Sequence, residues 1–379
     1  MDDVYVQSVE LHRKNRGKLA TKSKVPLQNR ADLSVAYTPG VAEVCRLIAK
    51  DKTASFTHTL RGNCVAVVTD GSAILGLGNL GPEAAMPVME GKAVLFKAFA
   101  DIDALPICLA TKDVEEIIKT VKNIAPSFGG INLEDIAAPR CFEIEDRLRA
   151  ELSIPVMHDD QHGTATVVLA ALINALKVRG SDASAVRVVV SGSGAAGTAV
   201  AKMLVEYGVG DVVVCDSAGA LHVGRADLNA PKKELATITN KGGYMGDLAN
   251  SMKGSDVFIG VSAPNIVSED MVRSMASRPI VFGLANPVPE IMPDVAKKAG
   301  ALVVATGRSD FPNQINNVLA FPGIFRGALD NKVRQITDAM LVKAAIALAG
   351  LVPAPTEEMI LPDPFDKSVV PAVASAIRG

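Results

Sequence analysis

The 379-residue sequence lacks an excess of charge of either sign. It contains 39 Lys and Arg residues against 41 Asp and Glu residues, which gives a formal net charge of −2, and it has no block of like charges. Proteins that bind nucleic acids or anionic membranes through charge carry a basic patch or tail. The composition therefore argues against both kinds of partner.

Long apolar runs are also missing. The longest, VVLAALINAL at 167–176, is about half as long as a helix that crosses the hydrocarbon core of a bilayer. The chain begins with MDDVYVQSVE, which is acidic and does not have the basic and then apolar pattern of a secretory signal. We therefore expect no membrane span and a cytoplasmic location.

Cysteine is scarce and scattered. The five cysteines are odd in number, form no C-x-x-C pair and lie mostly in apolar or amphipathic runs. This pattern predicts buried free thiols in a reducing compartment. The cysteines are Cys45, Cys64, Cys108, Cys141 and Cys215.

What the sequence contains instead is a regular alternation of strand and helix signals. Short runs rich in Val, Ile and Ala are separated by helix-length stretches, among them 83–100, 112–124, 194–207 and 290–299. Continuous apolar strands separated by helices predict parallel sheets buried on both faces, which is the α/β class. The predicted strands are 65–69, 105–109, 155–157, 186–190, 211–215, 256–260, 279–284 and 301–305.

Length and hydrophobic content together predict two domains. The chain has 379 residues, of which 49% are hydrophobic, and a single core rarely grows beyond about 250–300 residues. A long helix predicted from about 161 to 178 marks the boundary. We expect an N-terminal α/β domain over 1–160 and a second α/β domain over 161–379, whose helical tail packs back on the body.

Two segments have the spacing G-x-G-x-x-G, which can hold the phosphates of a dinucleotide. They are GLGNLG at 76–81 and GSGAAG at 192–197. The spacing alone is weak, because glycine-rich turns are common. Its context must supply a strand before it, a helix after it, and an acidic residue at the carboxyl end of the next strand.

The second motif meets each of these conditions. The strand VRVVV precedes it, a helix follows, and the next strand, DVVVCD, ends at Asp216, 19 residues after Gly197. Glycines let the backbone approach the phosphates at the positive end of the helix, and a carboxylate at that strand end can accept hydrogen bonds from a ribose diol. The sequence therefore predicts a Rossmann-type, doubly wound, dinucleotide-binding domain. Its predicted cofactor residues include Asp216 and the loop residues Gly192, Ser193, Gly194, Ala195, Ala196 and Gly197.

Asp216 also bears on which dinucleotide binds. A fixed carboxylate repels the 2′-phosphate of NADP, so the sequence favours NAD. His222 and Arg225 lie close by in the sequence and would supply positive charge for that phosphate. The preference for NAD over NADP is therefore modest.

The first motif does not meet the same conditions. Asp70-Gly71, between two apolar runs, predicts a hairpin turn. The acidic residues about 20 positions further on, Asp101 and Asp103, precede the next predicted strand instead of ending it. A carboxylate there lies at the wrong edge of a parallel sheet, so we predict that GLGNLG does not bind a dinucleotide.

Two polar residues of the first domain lie in unusual settings. Tyr37 precedes Thr38-Pro39-Gly40 and an apolar helix, and by itself it is equally consistent with a partly buried core tyrosine. Lys92 falls within the apolar stretch GKAVLF. It either extends its amine to solvent or is desolvated with a lowered pKa, as a general base requires.

Four carboxylates follow short apolar strands of the first domain. Glu134 and Asp135 follow one strand, and Asp159 and Asp160 follow another. The carboxyl ends of parallel strands lie at one edge of a sheet, where α/β proteins bind ligands. Carboxylates that converge there repel one another unless a divalent cation lies between them, and oxygen ligands select Mg²⁺ or Mn²⁺ over zinc.

The segment around Asp159 and Asp160 is also compatible with two different roles. Asp160 could equally cap the long helix that begins beside it. His158 and His162 flank the aspartates and suggest a zinc site, although this motif is a weak zinc signal. At the level of sequence, a helix cap and a zinc site therefore stay open beside the Mg²⁺ or Mn²⁺ site.

An ordered series of segments resembles the malic enzymes, specifically their short bacterial and archaeal form. The resemblance extends from about residue 10 to about residue 350. The segments are AYTPGVA, VVTDGSAILGLGNLGPEAAMPVMEGKAVLFKAFADID, INLEDIAAPRCFEIE, VMHDDQHGTA, SGSGAAG, FGLANPVPEI and RSDFPNQINNVLAFPGIFRGAL.

The resemblance implies divalent-metal-dependent oxidative decarboxylation of L-malate to pyruvate and CO₂ with NAD or NADP. It assigns the first domain to substrate and metal, and it matches Tyr37 to the general acid and Lys92 to the general base. It implies that Asn286 contacts substrate and cofactor and that Asn317 and Lys92 contact the substrate, with Asn316 adjacent to Asn317. It matches Mg²⁺ or Mn²⁺ ligands to Glu134, Asp135 and Asp160, with Asp159 beside them.

The resemblance also implies a homodimer, for which the amphipathic segment from Val4 to Leu19 could supply an interface. One departure concerns the substrate: longer family members have an arginine where this chain has Ala73, so the malate carboxylate must find another cation. Alternative functions are a malolactic-type lyase that releases lactate, an oxaloacetate decarboxylase and, more distantly, a non-catalytic nucleotide sensor.

Overall fold

Two β-sheets form the framework of the chain and confirm the predicted α/β class. The computed structural model describes residues 2–378, so the outermost residues of the two predicted domains, 1 and 379, lie outside the described part. The strands are β1 (Cys64–Thr69), β2 (Asp103–Cys108), β3 (Gly130–Leu133), β4 (Val156–His158), β5 (Arg187–Ser191), β6 (Asp211–Asp216), β7 (Gly219–Ala220), β8 (Val257–Gly260), β9 (Ile280–Gly283) and β10 (Val303–Thr306).

The order of the strands places a crevice in the second sheet. The first sheet has the order β2-β1-β3-β4 and is parallel. The second has the order β10-β9-β8-β5-β6-β7 and is parallel except at β7. From β5 the chain builds outward to β6 on one side and then returns to β8 on the other. Such a switch point opens a crevice at the carboxyl ends of the strands, where ligands bind.

Helices connect the strands and extend the chain at both ends. Most strands are buried along their whole length, as expected for parallel strands covered on both faces. The helices are α1 (Asp2–Asn15), α2 (Arg30–Ala36), α3 (Val41–Lys50), α4 (Ser55–His58), α5 (Pro82–Ala100), α6 (Val114–Ile124), α7 (Arg140–Glu151), α8 (Asp159–Arg179), α9 (Ala195–Tyr207), α10 (Ala230–Ile238), α11 (Leu248–Met252), α12 (Glu269–Arg273), α13 (Pro293–Lys298), α14 (Phe321–Asp330), α15 (Asp338–Gly350) and α16 (Val369–Ala376).

Helix α8 links the two sheets. It begins directly after β4, ends before β5, and packs against α9 and α15. The apolar run VVLAALINAL lies within it and is almost entirely buried, so this run is a core helix. The C-terminal helices α14 and α15 pack against α5 and α8 respectively. Along the described residues, no helix is both long and apolar enough to cross a membrane.

The hairpin predicted at Asp70-Gly71 is wrong. The buried Asp70 carboxylate accepts hydrogen bonds from the backbone N–H (2.9 Å) and the hydroxyl of Ser72, which makes a local turn without a second strand. The backbone then crosses toward β3, where Ala73 N donates to Asp135 O at 3.0 Å. Further on, GLGNLG forms a short 3₁₀ turn and leads directly into α5.

All five cysteines are free thiols. Cys64, Cys141 and Cys215 are buried as predicted, and burial raises the pKa of Cys64 and of Cys141 to about 12. Cys108 is half-buried. For Cys45 the prediction of burial is wrong, because α3 has no buried residue.

Candidate active site

Lys92 lies in the middle of α5, buried with 7% of its surface exposed. Its Nζ is 2.6 Å from Asp159 Oδ2 and 3.0 Å from Glu134 Oε1. The amine also lies over the ring of Phe321, 4.2 Å from its centroid. Helix α5 thus delivers an ammonium group to the carboxyl ends of β3 and β4.

The sequence context of Lys92 predicted either an amine extended to solvent or a lowered pKa, and these contacts show that both predictions are wrong. The side chain does not extend to solvent, since its amine is paired inside the protein. Burial by itself lowers the pKa of Lys92, but the adjacent Asp159 and Glu134 carboxylates outweigh it and raise that pKa above its ordinary value. Partners 42 and 67 residues away along the chain therefore decide the charge of this group.

Glu134, Asp135 and Asp160 form a compact acidic cluster. Each offers an oxygen, and these oxygens all lie within 4.8 Å of one another. The first two follow β3 and the third follows the adjacent β4, as expected at one edge of a parallel sheet. Asp135 has a left-handed backbone with φ of 53°, and its N–H donates to Asp160 Oδ2 at 2.8 Å.

The electrostatics of this cluster fit a divalent cation. Burial raises the pKa of Glu134 well above its ordinary value, and the neighbouring aspartates add to the effect while Lys92 opposes it. Burial and the nearby Asp160 raise the pKa of Asp135 to about 8. Asp135 Oδ2 is buried without a hydrogen-bond partner. A hard divalent cation would satisfy that oxygen and offset the repulsion.

The contacts support neither a helix cap nor a zinc site at Asp159-Asp160. Asp160 does not cap α8, because its carboxylate accepts the Asp135 N–H and the helix has no side-chain cap. The two histidines point to different partners. His162 bonds to Glu145, whereas His158 has no hydrogen bond at either ring nitrogen and lies 3.8 Å from Asp160.

Asn317 joins the lysine site from the far end of the chain. Its Nδ2 donates to Asp159 Oδ2 at 2.6 Å, on the same oxygen that accepts from Lys92. The adjacent Asn316 instead caps the 3₁₀ turn at 317–319, accepting from Val318 N at 2.9 Å. The structure therefore places Asn317 against the Lys92 pair and gives Asn316 a structural contact.

Asn286 is exposed in the loop after β9. A Cβ atom added at Gly307 would be 2.6 Å from its Nδ2. A Cβ atom added at Gly76 would overlap its carbonyl oxygen. The first glycine motif, GLGNLG, therefore touches the loop that carries Asn286.

The second glycine motif leaves room for a ligand at the start of α9. Gly192 has φ of +116°, and a Cβ there would lie 2.6 Å from Val261 O. A Cβ at Gly197 would overlap Gly192 O, so this glycine permits close packing of the helix. At Gly194, no atom other than those of its neighbours along the chain lies within 4 Å of an added Cβ. That open cradle fits a dinucleotide phosphate, with Ser193, Ala195 and Ala196 around it.

Asp216 ends β6 beside this cradle and is held by two cations. Arg225 Nη1 donates to Oδ1 at 2.8 Å, and Lys232 Nζ donates to Oδ2 at 2.6 Å. Burial raises the pKa of Asp216, but these hydrogen bonds overcome it and lower the pKa to about 2. The sequence patterns did not predict Lys232, whose signal is a lysine in the first turn of the helix after β7. His222 accepts a local hydrogen bond from Gly224.

Tyr37 lies on the surface of its own chain. It ends α2, is 67% exposed, and among the described residues makes no hydrogen bond with Lys92 or with the acidic cluster. Ala73 donates its backbone N–H to Asp135 O.

The fold and the site define a two-part α/β oxidoreductase, with a dinucleotide-binding sheet beside a buried lysine and carboxylate cluster. The chain belongs to the malic enzyme family. Residues 16–149 match the family description "Malic enzyme, N-terminal domain", and residues 161–376 match "Malic enzyme, NAD binding domain".

Individual relatives agree with this assignment. A bifunctional malic/malolactic enzyme of Bacillus subtilis is 56% identical over 98% of this chain and 91% of its own length. An NADP-dependent malic enzyme of Rhizobium meliloti is 46% identical over 98% of this chain and 51% of its own length. The crystal structure of an NAD-dependent malic enzyme from Thermotoga maritima superposes with a TM-score of 0.95 at 51% identity, covering 98% of both chains.

Proposed function

We propose that the chain catalyses the oxidative decarboxylation of L-malate to pyruvate and CO₂, with reduction of NAD or NADP and with Mg²⁺ or Mn²⁺. The observation that carries this proposal is the pairing of Lys92 with Asp159 and Glu134 at the edge of the acidic cluster. Glu134, Asp135 and Asp160 would hold the cation, and the Gly194 cradle would hold the dinucleotide phosphates.

Lys92 is proposed as the base of the oxidation step. When bound, the cation supplies positive charge at the malate oxygens and the dinucleotide accepts the hydride from C2. Lys92 removes the proton from the C2 hydroxyl as the hydride leaves. Glu134 shares less of its charge with Lys92 once it also ligates a cation, which lowers the pKa of the amine toward the range that a base needs.

Tyr37 is proposed as the acid of the second step. Oxidation produces oxaloacetate, a β-keto acid, which loses the C4 carboxylate as CO₂ and leaves the enolate of pyruvate. Tyr37 then donates its phenol proton to C3. Asn317 keeps Asp159 in place beside Lys92, while Asn286 is proposed to contact substrate and cofactor from the loop after β9.

The experiment that tests this function measures products. The chain is incubated with L-malate, Mn²⁺ and either dinucleotide, and the expected result is equal formation of reduced dinucleotide and pyruvate. The malolactic-type lyase is the second candidate, favoured by the bifunctional malic/malolactic name of the Bacillus relative. Lactate without net dinucleotide reduction would support that lyase and overturn the main proposal.

Cofactor choice is proposed to depend on the balance of charge at Asp216. Its carboxylate suits the ribose diol of NAD, whereas Arg225 and Lys232 offset its repulsion of a 2′-phosphate. We therefore propose that NAD is modestly preferred and that NADP is also accepted.

We further propose that two copies pair through the amino-terminal helices. Neither α2 nor α3 has a buried residue, and the predicted interface segment from Val4 to Leu19 is mostly exposed. A second copy would cover a band of apolar side chains that water otherwise contacts. The exposed band includes Val4, Tyr5, Val6, Val9, Leu11, Leu33, Val35, Val41 and Leu47.

In such a dimer, Tyr37 would serve the partner's Lys92 site. Mixing Lys92→Ala protein with Tyr37→Phe protein tests this directly, because one site of each mixed dimer then contains both groups. With random pairing, activity is expected to recover to roughly a quarter of wild type. Mixtures that stay inactive although the chains exchange would place Tyr37 in its own chain's site.

We also propose that the two domains bind different ligands. Residues 1–160 are proposed to form the substrate and metal domain, and residues 161–379 the dinucleotide domain with its helical tail. We also propose a cytoplasmic location.

A further inference from the structure

Glu290 is a buried carboxylate that the proposed chemistry does not use. It lies in the loop after β9 with 0% of its surface exposed. Its Oε1 accepts the N–H of Ser262 at 2.8 Å, and its Oε2 accepts the N–H of Ala285 at 3.0 Å. Within residues 2–378, no Lys, Arg or His forms an ion pair with it. Backbone N–H groups therefore take the place of a countercharge.

The two donors belong to different loops at the carboxyl edge of the second sheet. Ser262 follows β8, whereas Ala285 follows β9 and directly precedes Asn286. The carboxylate therefore ties together the loops that leave two adjacent strands.

The same contacts continue to the dinucleotide cradle. Ser262 Oγ lies 3.0 Å from the hydroxyl of Ser191, the last residue of β5, and 3.3 Å from Glu290 Oε1. The next residue, Gly192, is packed so closely against Val261 that a Cβ atom would lie 2.6 Å from the Val261 carbonyl oxygen. The Glu290 carboxylate thus contacts the loops after β8 and β9, and through Ser262 it is connected to the end of β5.

The neighbouring backbone makes room for this carboxylate. Gly260, the last residue of β8, faces it, and a Cβ atom added there would overlap the Glu290 side chain. A glycine at that position is needed because Glu290 fills the space. This arrangement gives the carboxylate one position, from which each oxygen meets a different loop.

We propose that Glu290 is a positioning residue for the dinucleotide. It holds the Asn286 loop and the Gly192 loop at a fixed separation, so that both ends of the cofactor site are formed before the cofactor arrives. This inference rests on the proposed function only through the role of Asn286, and dinucleotide binding tests it without turnover.

The test is the variant Glu290→Gln. Glutamine has nearly the same shape but only one accepting oxygen, so its NH₂ group would face one of the two backbone N–H donors. Leaving a buried donor unpaired is expected to weaken NADH binding by about tenfold to a hundredfold, as measured by NADH fluorescence. The KM for NAD should rise with it, whereas Mn²⁺ binding followed by electron paramagnetic resonance should stay as in wild type.

Two further variants make the outcome decisive. Glu358→Gln is the matched control, since Glu358 pairs with Lys297 at the surface, and it should bind NADH as wild type does. Ser262→Ala keeps the backbone donor but removes the contact with Ser191, and about a threefold weakening is expected. This variant decides the question if Glu290→Gln does not fold.

Three results would overturn the proposal. They are wild-type NADH binding in Glu290→Gln, equal loss of NADH and Mn²⁺ binding, and, if only Ser262→Ala folds, unchanged NADH binding in that variant. A wild-type chain that binds NADH but does not oxidise L-malate would instead refute the proposed function and leave the role of Glu290 intact.

Discussion

The chain contains two units in which a strand leads through a glycine-rich loop into a helix. The two units differ in the chemical groups that lie beyond the end of the strand. In the first, β1 leads through GLGNLG to α5, and that helix brings the Lys92 amine into a cluster of carboxylates. In the second, β5 leads through GSGAAG to α9, and the start of that helix is bare backbone around Gly194. One unit presents charged side chains, and the other presents N–H groups and space.

The difference shows that the glycine spacing alone does not specify a ligand. Asp216 ends the strand next to the second loop. Asp103 begins the strand next to the first loop, where it pairs with Lys24 and Lys97 on the far edge of the sheet. The position of the acidic residue on the neighbouring strand therefore distinguishes the dinucleotide-binding unit from the other one. The glycine spacing, which both units share, does not.

Removing the amine from the first unit should have the largest effect. Lys92→Ala deletes the proposed base and the countercharge for Asp159 and Glu134, so kcat with L-malate is expected to fall by about two or more powers of ten. Lys97→Ala, on the same helix but paired at the surface with Asp101 and Asp103, is the control and should keep its turnover. Wild-type turnover in Lys92→Ala would remove the lysine from the mechanism.

Filling the open space around Gly194 in the second unit should have the second-largest effect. Gly194→Ala adds a methyl group where, apart from its neighbours along the chain, no protein atom lies within 4 Å, so the free protein should fold normally. The methyl group would occupy the proposed phosphate cradle, and the KM for the dinucleotide is expected to rise by about tenfold or more. Gly350→Ala, which also meets open space, is the control. Unchanged dinucleotide KM in Gly194→Ala would contradict the cradle.

A substitution in the first glycine loop should affect the contact between the two units. Gly76→Ala would place a Cβ against Asn286 O, so one of the two loops must shift. Overpacking of this kind is expected to lower kcat by about tenfold and, through the displaced Asn286 loop, to weaken NADH binding by about threefold. Leu77→Ala, an exposed neighbour, is the control. A loss of NADH binding equal to the loss of kcat would give GLGNLG a direct role in binding the cofactor.

The smallest expected effect concerns the choice of dinucleotide. Lys232→Ala removes one of the two cations that hold Asp216. The KM for NADP is expected to rise by roughly threefold to tenfold relative to that for NAD, since one charge-assisted contact to the 2′-phosphate is lost. Initial rates with both dinucleotides measure this ratio, and Asp216→Ala should shift it in the opposite direction. If the ratio of the two KM values is unchanged in both variants, Asp216 and Lys232 do not determine the choice of dinucleotide.

Sequence patterns predicted what is encoded locally. Strand and helix periodicity gave the α/β class, and the strands before Glu134 and Asp159 placed four carboxylates at one edge of a sheet. Contacts between distant segments were not predictable in this way. The raised pKa of Lys92, the contact of Gly76 with Asn286 and the tie made by Glu290 all depend on how remote loops meet. The predicted hairpin at Asp70 failed because a side chain closed the turn.

The most direct test of Lys92 as the base compares L-malate with oxaloacetate as the starting compound for Lys92→Ala. Oxaloacetate enters after the hydroxyl proton has been removed, so it does not need the base of the oxidation step. We predict that the variant loses about two or more powers of ten in NADH formation from L-malate and keeps Mn²⁺-dependent pyruvate formation from oxaloacetate within about tenfold of wild type. Equal losses with both compounds would contradict the assignment of Lys92 as that base.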